Sequence, residues 1–435
     1  MYYIYQILGN FNYKPVNFVI KTLDNNNLNN ILDQKNEKQY LASIHIFKGL
    51  NVKDKKLVFL IPASLYNPSI NIEDIINNWG LNNAEYEIIK MPANGAYSIG
   101  SFDYTPDEIF FFLYIDMIKR LNQGDTVFID INAGLNEYVN SLNDSISYAY
   151  VTLGLRNLNA EKNNHDLDVY KIISEPVMRD SNRPNYSIYI QTLRRKIFFS
   201  LPSKEALKPS STIEGNPDIK KEFCSKFICE KFYKEINRKN IIIFNSIKMN
   251  TLSILIVDKN LISIEMKNKV LKCLNEIIKN YSEAFFQNMS TGIRESKIKM
   301  VEKIISFIMS LNMYLGFIDF LENRLEEIRN RQNNNIINIE KLEKLADDIY
   351  KNYKINIPLN LEFLQRDIYE FKNYYNRIKK QSETTNGNKN EGSAKRNFFA
   401  HSGLDYNTVK LLNDNEVEFV GKLDERKKWL LSLDK

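Results

Sequence analysis

Arg396, Asn397 and His401 stand in one short string, Arg396-Asn397-Phe398-Phe399-Ala400-His401. Arg396 is a permanent cation whose planar fork fits a phosphate. Asn397 is a neutral amide that can donate to a phosphate oxygen or orient a neighbour. His401 is the side chain suited to moving protons near neutral pH. These are the groups a phosphodiester-cleaving site uses. No Asp/Glu/His cluster stands at metal-ligand spacing.

The string follows the most loop-like stretch of the chain, residues 381–392. Ser393 suits an N-cap. A helix is therefore expected to start there, with Arg396 in its first, electropositive turn. His401 lies five residues on, about 140° around a helix. One copy does not aim both groups at a single point. Two copies meeting across a twofold axis could.

The N-terminal part alternates strands and helices. Extended runs are expected at residues 2–8, 16–20, 57–61, 86–90, 126–131, 169–174 and 186–193, and helices at 37–50, 72–79, 105–122 and 136–155. Residues 57–61 (LVFLI) and 126–131 (TVFIDI) are apolar throughout, as in strands buried on both faces. The pattern predicts an α/β Rossmann-like domain with a parallel sheet, in which ligands sit beyond the carboxyl ends of the strands. Four such ends carry small or polar residues: Gly9-Asn10, Ala63-Ser64, Asn94-Gly95, and Asp130, Asn132, Gly134 and Asn136. No G-x-G-x-x-G follows the first strand, which excludes a dinucleotide-dehydrogenase reading.

Beyond residue 203 the character changes. Pro202, Pro209 and Pro217 punctuate a connection, and helical stripes then dominate residues 264–286, 339–353 and 361–378. A strand hairpin is expected at 241–244 and 252–257. The domains are drawn as 1–200, a connecting region 201–262, and a mainly α-helical domain 263–435. Residues 304–321 are long enough to span a bilayer, but Asn312 and Asp319 interrupt them, so a buried helix is expected.

A chain of 435 residues with net charge +6 permits a nucleic-acid partner without requiring one. Cys224, Cys229 and Cys273 form neither a zinc ribbon nor a redox pair. With no basic region before an apolar run at Met1, no secretory leader is expected, and a cytoplasmic location is. His45 reads as a helix residue on the sheet and His165 as a loop residue.

The string R-N-F-F-A-H-S-G-L resembles the R-N-x-x-x-H signature of HEPN-domain ribonucleases. The segment F-I-D-I-N-A-G-L-N-E-Y resembles the D-x-T-H-G-x-N signature of CRISPR-associated CARF proteins, with Asn132 in place of Thr and Ala133 in place of His. The phrases L-I-P-A-S-L and K-M-P-A-N-G are similar to the strand ends of the same family. The resemblance implies a CARF-like sensor of cyclic oligoadenylate at residues 1–200, with contacts from Gly9, Asn10, Ala63, Ser64, Asn94, Asp130, Asn132, Gly134 and Asn136. It implies a HEPN-like domain that cleaves single-stranded RNA in type III CRISPR antiviral defence, without a cofactor or metal and as a homodimer or higher even oligomer. Cyclic tetra-adenylate is the favoured activator. His401 would act as general base or acid, Arg396 would stabilise phosphate charge, and Asn397 would orient one of them. A non-catalytic nucleotide-sensing regulator, and a CARF domain that also degrades its cyclic ligand, are the alternatives.

Overall fold

The computed structural model describes the chain apart from residues 24–27, 29, 35–36, 68, 133, 135, 160–166, 178–183, 195, 199–229, 291–300, 330–334, 381–390, 406–407 and 434–435. His165, Cys224, Cys229, Ala133 and the three prolines of the connection lie outside the described residues. Two units are present. One comprises Met1–Gly154, Lys162–Arg195 and Asn275–Ile305, the other Leu155–Glu161, Lys196–Leu274 and Ser306–Lys435.

In the first unit the strands are β1 (Tyr2–Ile7), β2 (Val16–Leu23), β3 (Lys38–Gln39), β4 (Lys55–Pro62), β5 (Tyr86–Met91), β6 (Asn94–Tyr97), β7 (Gly100–Asp103), β8 (Thr126–Asp130), β9 (Asp168–Ser174) and β10 (Tyr186–Thr192). Eight of them form one sheet in the order β3-β2-β10-β9-β8-β1-β4-β5. β5, β4, β1, β8 and β9 run parallel, with Gln6 opposite both Phe59 and Asp130. β4 and β8 are buried along their apolar runs, as expected for strands covered on both faces.

The parallel expectation fails at two places, β10 against β9 and the edge strand β3 against β2. β10 pairs with β9 antiparallel and with β2 parallel. The starts of β2 and β10 therefore lie at the same edge as the carboxyl ends of β1, β8 and β9. Two smaller differences follow from unpaired edges. Of residues 37–50 only Ala42–Gly49 is helical, because Lys38–Gln39 satisfies the backbone groups at the start of β2. Asn94, expected in a simple turn, opens the β6–β7 hairpin. The helix Pro106–Arg120 starts as its sequence predicts. Thr105 Oγ1 accepts from the Glu108 N–H at 3.3 Å, and Glu108 accepts from the Thr105 N–H at 2.9 Å.

The second unit is mainly helical. Its elements include the helices Glu230–Lys248, Ser253–Val257, Ile339–Tyr350, Pro358–Lys380, Glu391–Ala400 and Leu423–Leu431. The division between the units runs through the helices Ile264–Ser290 and Val301–Ile328. A three-stranded antiparallel sheet, β11 (Ile336–Asn338), β13 (Glu416–Phe419) and β12 (Val409–Asn413), was not legible in the sequence.

The hairpin expected at 241–244 and 252–257 is a correction: both stretches are helical. Ile241, Ile242, Ile243 and Phe244 are all buried, and a helix buried all round has no readable period. The segment drawn as a connection is thus folded from Glu230 onward. The helix Ile304–Ile328 is long and apolar enough to cross a membrane, and 94% of its apolar window is buried inside the protein.

Candidate functional site

Two places bring together the residues that the sequence singles out. The first is a cleft of about 510 Å³ in the first unit, at the sheet edge just described. Asn10, Asp130, Asn132 and Gly134 line it, together with Tyr13, Lys14, Tyr40, Ser174, Glu175 and Tyr186.

Its floor is a locked network. Asp130 ends β8 and is buried. Its Oδ1 accepts from the Asn132 backbone N–H at 3.0 Å and from Asn132 Nδ2 at 2.7 Å, and its Oδ2 accepts from the Ser43 N–H at 3.2 Å. Burial raises the Asp130 carboxyl to about 6, and those three donors pull the other way. Ser43 also donates through its hydroxyl to Gln6, a fully buried amide on β1.

Asn132 Nδ2 donates in addition to the Ile172 carbonyl at 2.8 Å, and Asn132 Oδ1 accepts from the Ser174 N–H at 2.8 Å. Its amide is thus fully engaged in tying the end of β8 to the end of β9. Asp130 and Asn132 therefore shape the cleft, and its exposed surface is left to other residues.

Glycine is required where the loops meet. A Cβ on Gly9 would stand 2.9 Å from Gly134 Cα, and one on Gly134 would stand 2.9 Å from Ile7 Cγ2. Gly134 also has φ +115°, which side chains rarely adopt. The Gly9 N–H donates to the Tyr13 hydroxyl at 3.2 Å, which fixes that ring at the mouth of the cleft. Burial raises the Tyr13 pKa, and the Gly9 bond opposes the shift.

The remaining candidates lie elsewhere. Ala63 packs with Ala93 and Phe102, and Ser64 follows it in a short 3-10 turn. Asn94 Nδ2 donates to Glu137 at 3.2 Å, and the Asn94 N–H donates to the Tyr138 hydroxyl at 3.0 Å. Asn136 opens the helix Asn136–Arg156. None of these four lines the cleft. Tyr13 and Lys14 were within reach of sequence reasoning, since they follow Gly9-Asn10 closely. Tyr186 was not, because only the antiparallel placement of β10 brings its start to this edge. Aromatic rings, engaged amides and one cation suit a ligand with flat bases and phosphates. His45 takes no part: it is buried, burial lowers it to about 4, and neither ring nitrogen has a hydrogen-bond partner among the described residues.

The second place is the end of the helix Glu391–Ala400 in the second unit. That helix begins before Ser393, so Ser393 is not its cap and Arg396 lies in the second turn rather than the first. The anion-binding argument from a helix N-terminus therefore does not apply to Arg396. Phe398 is the buried anchor. Its ring meets Trp429 edge-on at 5.7 Å, and Arg426 lies 3.9 Å from the centroid of Trp429. Arg396 and His401 are exposed and Asn397 is half-buried.

The turn after Ala400 is held in an unusual conformation. Ser402 has φ +53° and Gly403 φ +73°, and the Gly403 N–H donates to the Phe398 carbonyl at 2.8 Å. Ser402 Oγ donates to Asp367 Oδ2 at 2.5 Å and accepts from Asn250 Nδ2 at 2.9 Å. These bonds hold a non-glycine residue in the left-handed region. They also hold Asp367 beside His401. Burial raises the Asp367 carboxyl, while Ser402, Arg366 and His401 act against the shift. Asp367, Glu370 and His401 each offer a ligating atom within 4.8 Å of the others. Spacing along the chain does not show this group. Asp367 and Glu370 share a helix far from His401 in the chain, and only folding brings the three together.

Residues 3–176 match the family model described as CRISPR system endoribonuclease Csx1, CARF domain. Residues 3–176 are a CARF domain of the type III CRISPR-associated kind. No curated protein matches the chain. The CARF match covers the whole cleft except Val177 and Tyr186. CARF domains bind cyclic oligoadenylates, and the matched residues end where the helical region has yet to begin.

Proposed function

We propose that this CARF protein is a cyclic-oligoadenylate-activated, metal-independent endoribonuclease that cleaves single-stranded RNA in type III CRISPR antiviral defence, and that its second unit is a HEPN-type domain. The observation that carries this reading is the pose of Arg396 and His401. Both are exposed on a helix end anchored by buried Phe398, and neither forms an ion pair among the described residues. Surface residues serving only stability need no such anchored display.

His401 takes the proton from the RNA 2′-hydroxyl or returns one to the leaving oxygen. Arg396 stabilises the charge that builds on the phosphate, and Asn397 orients one of them. The products carry 2′,3′-cyclic phosphates. Because Arg396 and His401 diverge, the site is completed by a second copy across a twofold axis. Leu359, Phe363 and Tyr369 are exposed on the helix that carries Asp367, which supports an apolar contact there.

The cleft takes the cyclic oligoadenylate, cyclic tetra-adenylate first. Tyr13, Tyr40 and Tyr186 provide ring faces for adenines, and Lys14 provides a cation for phosphate. Activation reaches only as far as the ligand prefers the active arrangement over the inactive one. The test is RNA cleavage by the purified protein with cyclic oligoadenylates of different ring sizes, with and without EDTA. Cleavage that requires one ring and survives EDTA is expected. No cleavage with any ring would leave a non-catalytic sensor.

A further inference from the structure

We propose that Asp367, Glu370 and His401 form a binding site for a divalent transition metal, Zn²⁺ foremost, and that the bound ion switches off RNA cleavage. The inhibitory half rests on the reading of His401 as the proton-transfer group. The binding half does not.

Three observations carry the site. The ligating atoms of the three residues lie within 4.8 Å of one another. Asp367 is buried, 4% exposed, and is fixed in place by Ser402. Its Oδ2 is taken by that hydroxyl, while its Oδ1 is buried and accepts no hydrogen bond among the described residues. A buried carboxylate oxygen without a donor is costly and calls for a cation. Among the described residues it is paired with Arg366 at 3.7 Å, beyond hydrogen-bonding reach and on a side chain 56% exposed.

The donor set selects the ion. One imidazole and two carboxylates suit Zn²⁺ and its neighbours better than Mg²⁺ or Ca²⁺, which favour oxygen alone. Zinc binds such atoms at about 2.0–2.2 Å, so two ligands on one ion stand no more than about 4 Å apart. The donors must therefore close by about 1 Å. Glu370, 58% exposed and paired among the described residues only with exposed Arg366 at 3.9 Å, and exposed His401 can rotate toward the fixed Asp367. Three protein ligands leave a fourth position for water.

The consequence for chemistry is direct. A metal on the basic ring-nitrogen lone pair of His401 leaves no base for the 2′-hydroxyl proton. Metal-free cleavage and inhibition by zinc are therefore two properties of one imidazole.

The test is titration of the full-length, metal-stripped protein with Zn²⁺ by calorimetry, and by competition with a chromogenic chelator. One ion per chain is expected. Loss of an outer-shell partner already weakens metal binding about 10–100-fold, so Glu370→Gln and His401→Ala should weaken it at least as much. Asp367→Asn is a further ligand variant, and Glu370→Gln guards against misfolding because it removes an exposed group. Glu370→Gln should also keep RNA cleavage and lose its inhibition by Zn²⁺. No stoichiometric binding, or binding unchanged in both Glu370→Gln and His401→Ala, would overturn the site. Stoichiometric, ligand-dependent binding in a protein that cleaves no RNA would leave the site standing and remove the ribonuclease reading instead.

Discussion

The cleft of the CARF domain and the end of the helix Glu391–Ala400 use the same kinds of residue in opposite ways. In the cleft, Asp130 and Asn132 spend their polar atoms on each other and on backbone, so the strand ends arrive already set. At the helix end, Arg396 and His401 stand in solvent, and the engaged residues are those behind them, Ser402, Asn250 and Asp367. A binding site gains from rigid walls, because ordering them on binding would cost affinity. On the reading proposed above, in which a partner copy completes the second site, the reactive groups are left unspent.

The contrast is broken most sharply at the exposed end. His401→Ala or Arg396→Ala should reduce ligand-stimulated RNA cleavage by about 10²–10⁴-fold, the range of one positioned acid–base group. Thermal stability should move by no more than about 0.5 kcal/mol, as for surface substitutions. A large loss of stability in either variant would show that these side chains are structural.

The equivalent change in the cleft should act through shape. Gly134→Leu places a side chain where Ile7 Cγ2 already stands, at a φ of +115°. Cyclic tetra-adenylate binding, followed by calorimetry, should be lost, while basal cleavage at high enzyme concentration remains. Asn132→Ala removes three engaged hydrogen bonds and should destabilise the domain by about 1–3 kcal/mol in urea unfolding. Asn136→Ala, at a residue outside the cleft, should leave binding near that of the parent.

A third measurement concerns assembly. Phe363→Asp places a charge among the exposed apolar residues of the helix Pro358–Lys380. Sedimentation should show the dimer giving way to monomer, with cleavage lost and cyclic-oligoadenylate binding kept. A variant that stays dimeric would move the contact to another face.

The smallest expected effect is on pH dependence. Burial raises Asp130 to about 6, above its unfolded value. The folded state thus holds this proton more tightly, and the stabilisation is present below the unfolded pKa and fades as pH rises through about 6. Between pH 5 and pH 7 the parent should lose about 1 kcal/mol through this group. Asp130→Asn should remove that slope, and denaturant melts of both proteins at the two pH values would show it. An equal slope in both would assign the titration to another residue.

Much of the sheet was determined by sequence alone. Apolar runs such as 57–61 and 126–131, alternating with helical stretches, fit covered strands, and Thr105-Pro106-Asp107-Glu108 starts its helix through local bonds. Local chemistry also marks Gly134, where the chain turns with positive φ. What the tertiary structure decided is everything that depends on distant pairing. The reversal of β10 against β9 brings Tyr186 to the cleft, and no local signal records a strand's direction. The buried run at 241–244 is helical because it is covered on every side, which erases the period that would have named it. Asp367 and Glu370 stand beside His401 where Ser402 bonds the Asp367 carboxylate, across a separation in sequence that spacing cannot show.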